Sequence, residues 1–185
     1  MIAVHPEPVT GQPQALRWVC TPTGPAGRVR AAPGALGQLL AAGTLRQVFR
    51  EGGGLWTFLA DGLAWADHGT QVRVAVAAAL AQPEGWDVDP DSAELLGWIA
   101  ADVIGTQLAS YISSHGGQIS VGEVTHDTLT LNFGGACEHC PAAGSTLHGR
   151  IESALAARYP RLRSVSRRSA GPGRRPLLGI GLRRG

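Results

Sequence analysis

Hydrophobic positions in the second half of the chain follow two periods, one typical of helices and one typical of strands. From Leu95 to Ile112 they recur every three or four residues, which predicts a helix whose wide apolar stripe packs against a sheet. Residues 119–124 and 128–133 then alternate between apolar and polar positions. With the polar turn between them, these two segments predict an antiparallel hairpin.

A second helix and a final strand complete this part of the chain. Leu147, Ile151 and Leu155 repeat at a spacing of four, which predicts a helix along this segment. Residues 161–166 supply a last strand. The order helix, strand, strand, helix, strand predicts a compact domain over residues 94–166.

The first half of the chain predicts another small domain, over residues 1–81, that also mixes strands and helices. Its apolar runs and turn residues predict, in chain order, a strand at 15–20, a helix after Pro33-Gly34, a hairpin of 44–50 with 55–61, and a helix at 70–80. The predicted fold class is therefore α/β (α+β), with two small domains.

Two further segments have little to bury. Residues 82–93 contain two Pro, one Gly and a run of acidic residues, which predicts a linker between the domains. Residues 167–185 are rich in Gly, Pro and Arg, which predicts a disordered basic tail. Such a tail is more often solvated than bound to nucleic acid, so no nucleic-acid partner is predicted.

The composition excludes several classes of protein. Of the 185 residues, 44% are hydrophobic and 16% charged, which is enough to build a core and excludes a wholly disordered chain. No apolar run reaches the roughly 18 residues of a membrane span, and the first residues lack the pattern of a secretory signal. The three cysteines suit a reducing compartment, so we expect a cytoplasmic protein without a membrane partner.

The motif with the most chemical content is Cys137-x-x-Cys140. It follows Gly134-Gly135 at the end of a predicted strand and precedes a predicted helix, where backbone N–H groups favour an anionic thiolate. Two thiolates at this spacing can converge on one metal centre. A zinc ion or an iron–sulfur cluster usually takes four protein ligands, so either histidines complete the site or two chains each contribute one pair.

The region from Ser114 to Val165 resembles the C-terminal domain of NifU, also called the Nfu domain. The resemblance rests on four groups of residues: His115-Gly116-Gly117, Phe133-Gly134-Gly135-Ala136, Cys137-x-x-Cys140-Pro141, and Thr146-Leu147 with Ile151. Residues 1–81 resemble more loosely the N-terminal domain often attached to Nfu, although the usual Pro-Asn-Pro near the start is absent.

This resemblance implies an iron–sulfur cluster carrier or scaffold rather than an enzyme. Its cluster would be 4Fe-4S rather than 2Fe-2S, bound by Cys137 and Cys140 of both chains in a homodimer. The implied partners are the upstream cluster assembly machinery, which supplies the cluster, and the apo iron–sulfur proteins that receive it.

Two other functions are compatible with the cysteine pair. A thiol–disulfide oxidoreductase also places such a pair at a helix N-terminus, although here a hairpin precedes it instead of a βαβ unit. A structural zinc site that only joins two chains is the other alternative. No catalytic triad, acid–base pair, P-loop or dinucleotide fingerprint is present, and Cys20, His115, His139 and His148 are assigned packing or surface roles.

Overall fold

A six-stranded antiparallel sheet forms most of the first part of the chain. The structure is a computed structural model that describes residues 2–139 and 147–169. The strands of this sheet lie in the order β1-β2-β5-β4-β3-β6. Their bounds are β1 His5–Val9, β2 Gln12–Val19, β3 Gly27–Ala31, β4 Leu45–Glu51, β5 Gly54–Leu59 and β6 Asp87–Asp89.

Two helices, α1 (Gly34–Ala41) and α2 (Trp65–Leu80), cover one face of this sheet. The alternation along β5 shows the two faces directly. Leu55 and Leu59 belong to the core beneath α1 and α2, whereas Trp56 and Phe58 belong to the core on the opposite side. Because both faces of β5 are covered, all six of its residues are buried.

The opposite face of the sheet packs against α3 (Ala93–Asp102), which also contacts a second, three-stranded sheet. That sheet has the order β7-β8-β9, with β7 Gly117–Val124, β8 Thr128–Gly135 and β9 Ser164–Ser169. β7 and β8 form the predicted antiparallel hairpin, and β9 runs parallel to β8. α3 is therefore buried between two sheets.

In the described part of the chain, three more helices and one π-helical turn lie around the second sheet. A π-helical turn at Val103–Gln107 separates α3 from α4 (Ala109–Ser114), and the bounds of the last two helices are α5 Ala136–His139 and α6 His148–Arg158. The sequence predicted one continuous helix from α3 to α4, which is wrong at this turn. Leu108 N–H bonds Val103 O, and the Thr106 hydroxyl donates to Asp102 O, so the regular ladder is interrupted.

The α+β class is confirmed, and three strands appear that the sequence pattern did not predict. β1 and β6 lie at the two edges of the large sheet, and β3 is next to β6. β6 lies within the segment that was predicted to be a linker, where Val88 pairs with Val29. Short edge strands carry few apolar residues, so their alternation is weak.

The last strand extends beyond the predicted residues 161–166. β9 continues to Ser169, and its register places Arg167 opposite Leu131 and Arg168 opposite Asn132. The first residues of the predicted tail are therefore part of the sheet, and residues 170–185 lie outside the described part of the chain. The division of the chain into two domains remains a prediction.

No helix among residues 2–139 and 147–169 combines the length and the apolar character needed to cross a lipid bilayer.

A buried carboxylate joins the large sheet to α6. Glu51, at the end of β4, has a fully buried side chain that accepts from Arg17 Nε at 2.6 Å and from Arg158 Nη2 at 3.0 Å. Arg158 also donates to Asp102 at 2.6 Å, and its guanidinium lies 5.6 Å from the centre of the Trp56 ring. Alternating charges therefore compensate one another across the boundary between sheet and helix.

We predict that Glu51→Gln lowers the free energy of unfolding by about 3 kcal/mol, because it removes the anion shared by two partly buried guanidinium groups. Chemical denaturation followed by circular dichroism measures the change. The matched control is Glu123→Gln, whose exposed side chain lies 3.6 Å from Arg168 and whose loss should cost about 0.5 kcal/mol or less. Equal effects for the two variants would contradict a structural role for the buried carboxylate.

Candidate functional site

The cysteine motif begins where β8 ends. Gly135, the last residue of β8, has φ 58°, a left-handed conformation that glycine adopts without strain. The chain then turns into α5, in which Cys137 is the second residue. Cys137 therefore follows the end of a strand, as predicted, but lies within a separate four-residue helix and not in a loop directly before α6.

Cys140 lies outside the described residues, as does the side chain of His139. Whether Cys140 converges with Cys137 therefore remains a prediction. Within residues 2–139 and 147–169, no group of three or more His, Cys, Asp and Glu side chains is suited to hold a metal ion.

Gly116 and Gly117, between α4 and β7, fit closely around the cysteine loop. Gly116 O accepts a hydrogen bond from Ala136 N at 3.0 Å, and a Cβ on Gly135 would lie only 2.6 Å from the same oxygen. A Cβ on Gly117 would overlap Cys137 Sγ. The two glycine motifs identified in the sequence thus form one contact, which brings the start of β7 against the cysteine loop.

Cys137 is directed into the protein. Its exposed fraction is 4%, and it belongs to the same apolar core as Ile112 and Phe133. The sulfur lies against the α-carbon of Gly117. In this conformation the thiol is sheltered, so a surface ligand can reach it only after the side chain or α5 moves.

Arg167, the first residue of the predicted basic tail, completes the surroundings of this loop. Arg167 Nη2 donates to Cys137 O at 2.9 Å and to Glu138 O at 2.5 Å. Its guanidinium lies 4.8 Å from the centre of the Phe133 ring. No sequence signal distinguished Arg167 from the arginines that follow it, because its role depends on the parallel pairing of β9 with β8.

His115 and His148, which flank the motif in the sequence, lie at helix ends. His115 Nδ1 is 2.8 Å from Tyr111 O, and its ring is 4.7 Å from the Tyr111 ring, at the end of α4. His148 is the first residue of α6. The guanidinium of Arg150, also in α6, lies over the Tyr111 ring, 5.4 Å from its centre.

The third cysteine lies on the other side of the molecule, at the large sheet. Cys20 packs against the core beneath α1 and α2, and its thiol donates to Trp18 O at 3.3 Å. Burial raises the pKa of the Cys20 thiol, which favours the protonated and less reactive form.

A cleft of about 430 Å³ lies elsewhere, lined by residues of β3, β4, β6 and α1. Its carboxylate, Asp89, accepts from Arg30 at 2.7 Å, and this hydrogen bond lowers the pKa of Asp89. Asp89 is therefore a poor proton acceptor at neutral pH. The cleft has no cysteine in its lining, and the cysteine loop remains the strongest candidate for a functional site.

Comparison with known proteins supports this choice. Residues 101–166 match the family model of the NifU-like domain. A Fe/S biogenesis protein NfuA from Ruthia magnifica is 32% identical over 104 residues, which are 56% of this chain and 52% of that protein. Proteins of the same name from Haemophilus ducreyi, 44% identical over 59 residues, and Pseudomonas aeruginosa, 38% identical over 61 residues, match about a third of each chain.

The predicted resemblance to the Nfu family is confirmed by these matches. The chain spans about half the length, or less, of the curated relatives that it matches. No solved structure matches this chain.

We predict that Gly117→Ala destabilises the protein by about 1–3 kcal/mol, because the new methyl group overlaps Cys137 Sγ. In a Cys137→Ala background the same substitution should cost at least about 1 kcal/mol less, since the overlapping sulfur is gone. Denaturation of the four proteins of this double-mutant cycle measures the coupling.

The matched control is Gly149→Ala in α6, where the new methyl group would have no atom of the described residues within 4 Å, apart from the adjacent backbone of its own helix. Alanine is favoured over glycine inside a helix, so this variant should be stabilised by up to about 1 kcal/mol. Absence of coupling between positions 117 and 137 would refute the contact.

Proposed function

We propose that this protein carries iron–sulfur clusters and passes them to apoproteins, with Cys137 and Cys140 as the cluster ligands. The observation that carries the proposal is the NifU-like match over residues 101–166, because the cysteine loop lies inside it. The similarity to several proteins named for Fe/S biogenesis supports the same role.

The number of ligands favours a homodimer. Each chain offers two thiolates in this motif, and a 4Fe-4S cluster takes four, so the proposed cluster bridges two copies of the chain. A 4Fe-4S cluster is preferred to 2Fe-2S on the family resemblance. A cluster between two chains is exposed at the dimer boundary, which suits a cargo that must leave.

The contacts around Cys137 affect both the binding and the release of the proposed cluster. A cluster with four thiolate ligands is anionic, and the positive charge of Arg167 lies beside the backbone of the loop. Cys137 must leave its contact with Gly117 to become a ligand. Burial of the freed thiol is then a favourable contribution to the release of the cluster.

Transfer requires no net redox change at the cysteines. As thiolates of the apoprotein bind the iron atoms, Cys137 and Cys140 leave as thiolates, so each iron exchanges one sulfur ligand for another. The proposed partners are therefore the apo iron–sulfur proteins that receive the cluster and the assembly machinery that supplies it, in the cytoplasm. The protein acts here as a carrier and not as an enzyme.

We predict that Cys137→Ser and Cys140→Ser each abolish stable cluster binding, because they remove thiolate ligands. The wild-type protein is reconstituted without oxygen from ferrous iron and sulfide. It should then form a dimer with about two irons per chain and a broad visible absorption band. Iron and sulfide analysis, with light scattering of the sized protein, measures the loss in each variant.

Cys20→Ser is the matched control, since Cys20 lies at the large sheet and should not affect cluster content. Full iron content in the double variant Cys137→Ser, Cys140→Ser would refute the proposal. Zinc without iron and sulfide in protein purified without oxygen would instead favour a structural zinc site. A colourless monomer with a Cys137–Cys140 disulfide would favour redox chemistry.

A further inference from the structure

The cysteine loop is held from two directions by groups outside the cysteine motif. On one side, Gly117 provides the surface on which Cys137 Sγ rests. On the other, Arg167 donates from one nitrogen to the carbonyl oxygens of Cys137 and Glu138. Gly117 begins β7 and Arg167 belongs to β9, so both strands that flank β8 contribute to the position of the loop.

The hydrogen bonds of Arg167 are suited to fix a short helix. α5 has four residues, and its carbonyl groups have few partners within so short a helix. A guanidinium that binds two of these carbonyls satisfies them and places positive charge at the negative end of the peptide dipoles. The contact with Phe133 restrains the guanidinium against the end of β8.

We propose that Arg167 is a positioning residue that holds α5 in the conformation in which the Cys137 thiol is buried. The proposal rests on the function proposed above, because it treats Cys137 as a cluster ligand. In the cluster-free protein, this arrangement protects the thiol from oxidants and alkylating reagents. In this proposal α5 moves together with Cys137 when a cluster binds, so the carbonyl contacts of Arg167 break or change.

Arg167 therefore affects both the exposure of the free thiol and the rate at which a cluster is accepted. Loss of its two hydrogen bonds makes the exposed conformation easier to reach. A role confined to overall stability would differ, because unfolding would expose the buried Cys137 and the partly buried Cys20 together. The reactivity of Cys137 relative to Cys20 distinguishes these two roles.

The test uses the cluster-free full-length chain with Cys140→Ser, so that Cys137 is the only thiol in its tryptic peptide. Iodoacetamide labelling is followed by mass spectrometry, and the rate at Cys137 is divided by the rate at Cys20 in the same sample. We predict that Arg167→Gln raises this ratio about tenfold. That change corresponds to about 1.4 kcal/mol in favour of the exposed conformation.

Arg168→Gln is the matched control. Arg168 is the next residue of β9, and its side chain is 62% exposed, with Glu123 at 3.6 Å. The control removes the same charge from the same strand but leaves both carbonyl contacts, so its ratio should stay within twofold of the parent protein. Arg167→Lys retains the charge and one donor group, and should give an intermediate ratio.

An unchanged ratio in Arg167→Gln would overturn the proposal, as would equal acceleration at Cys137 and Cys20. Should Arg167→Gln fail to fold, Arg167→Lys decides on the same ratio: a rise above that of Arg168→Gln supports the proposal and its absence overturns it. None of these measurements requires a cluster. Their failure can therefore be distinguished from failure of the proposed function, which the iron analysis tests.

The second measurement uses the chain with both cysteines of the motif intact. In anaerobic reconstitution, Arg167→Gln should take up iron and sulfide faster than Arg168→Gln, because less energy is needed to expose Cys137. The visible absorption band follows the rate. Equal rates of uptake for the two variants would show that the position of α5 does not limit loading and would contradict this part of the proposal.

Discussion

The burial of α3 between two sheets is the constraint on which the rest of the structure depends. Leu95, Leu96, Ile99 and Ala100 have no measurable exposure, although α3 is only ten residues long. Trp98 adds a ring 5.0 Å from that of Phe58 in the large sheet. One sheet can cover only one of the two apolar faces of α3. Burial of both faces therefore stabilises the packing of the two sheets against this helix.

Close packing places charged groups where water is excluded, and the structure compensates them in pairs. Glu51 stands at the boundary between the large sheet and α6 and is matched by Arg17 and Arg158. At the same end of α6, the hydroxyl of the buried Tyr159 donates a hydrogen bond to His126 O at 2.7 Å, and burial raises the pKa of this phenol. The C-terminal end of α6 is therefore fixed to the large sheet and to the turn of the hairpin.

Much of the fold follows from local sequence patterns, and the exceptions share one property. The α1 helix, the two hairpins and α6 were predictable because each combines a strong apolar period with turn residues. β3 and β6 were not, because each is short and its position depends on pairing with a neighbouring strand.

The same applies to the site. The sequence identified Gly117 and Cys137 as parts of separate motifs, but their contact depends on the register that pairs Gly117 with Gly135. Arg167 was beyond reach because only the parallel pairing of β9 brings it to the loop.

A carrier must bind its cargo and also release it, so the free form of its binding site cannot be much less stable than the loaded form. In this protein the free form has stabilising contacts of its own: a buried sulfur, a close glycine contact and two charged hydrogen bonds to the backbone of the loop. Under the proposed function, any contact that is lost when Cys137 turns outward would oppose loading and favour release by the same free energy. Tight packing around Cys137 is therefore consistent with the proposed transfer, because it would lower the affinity for a cluster and leave the chemistry of the thiolates unchanged.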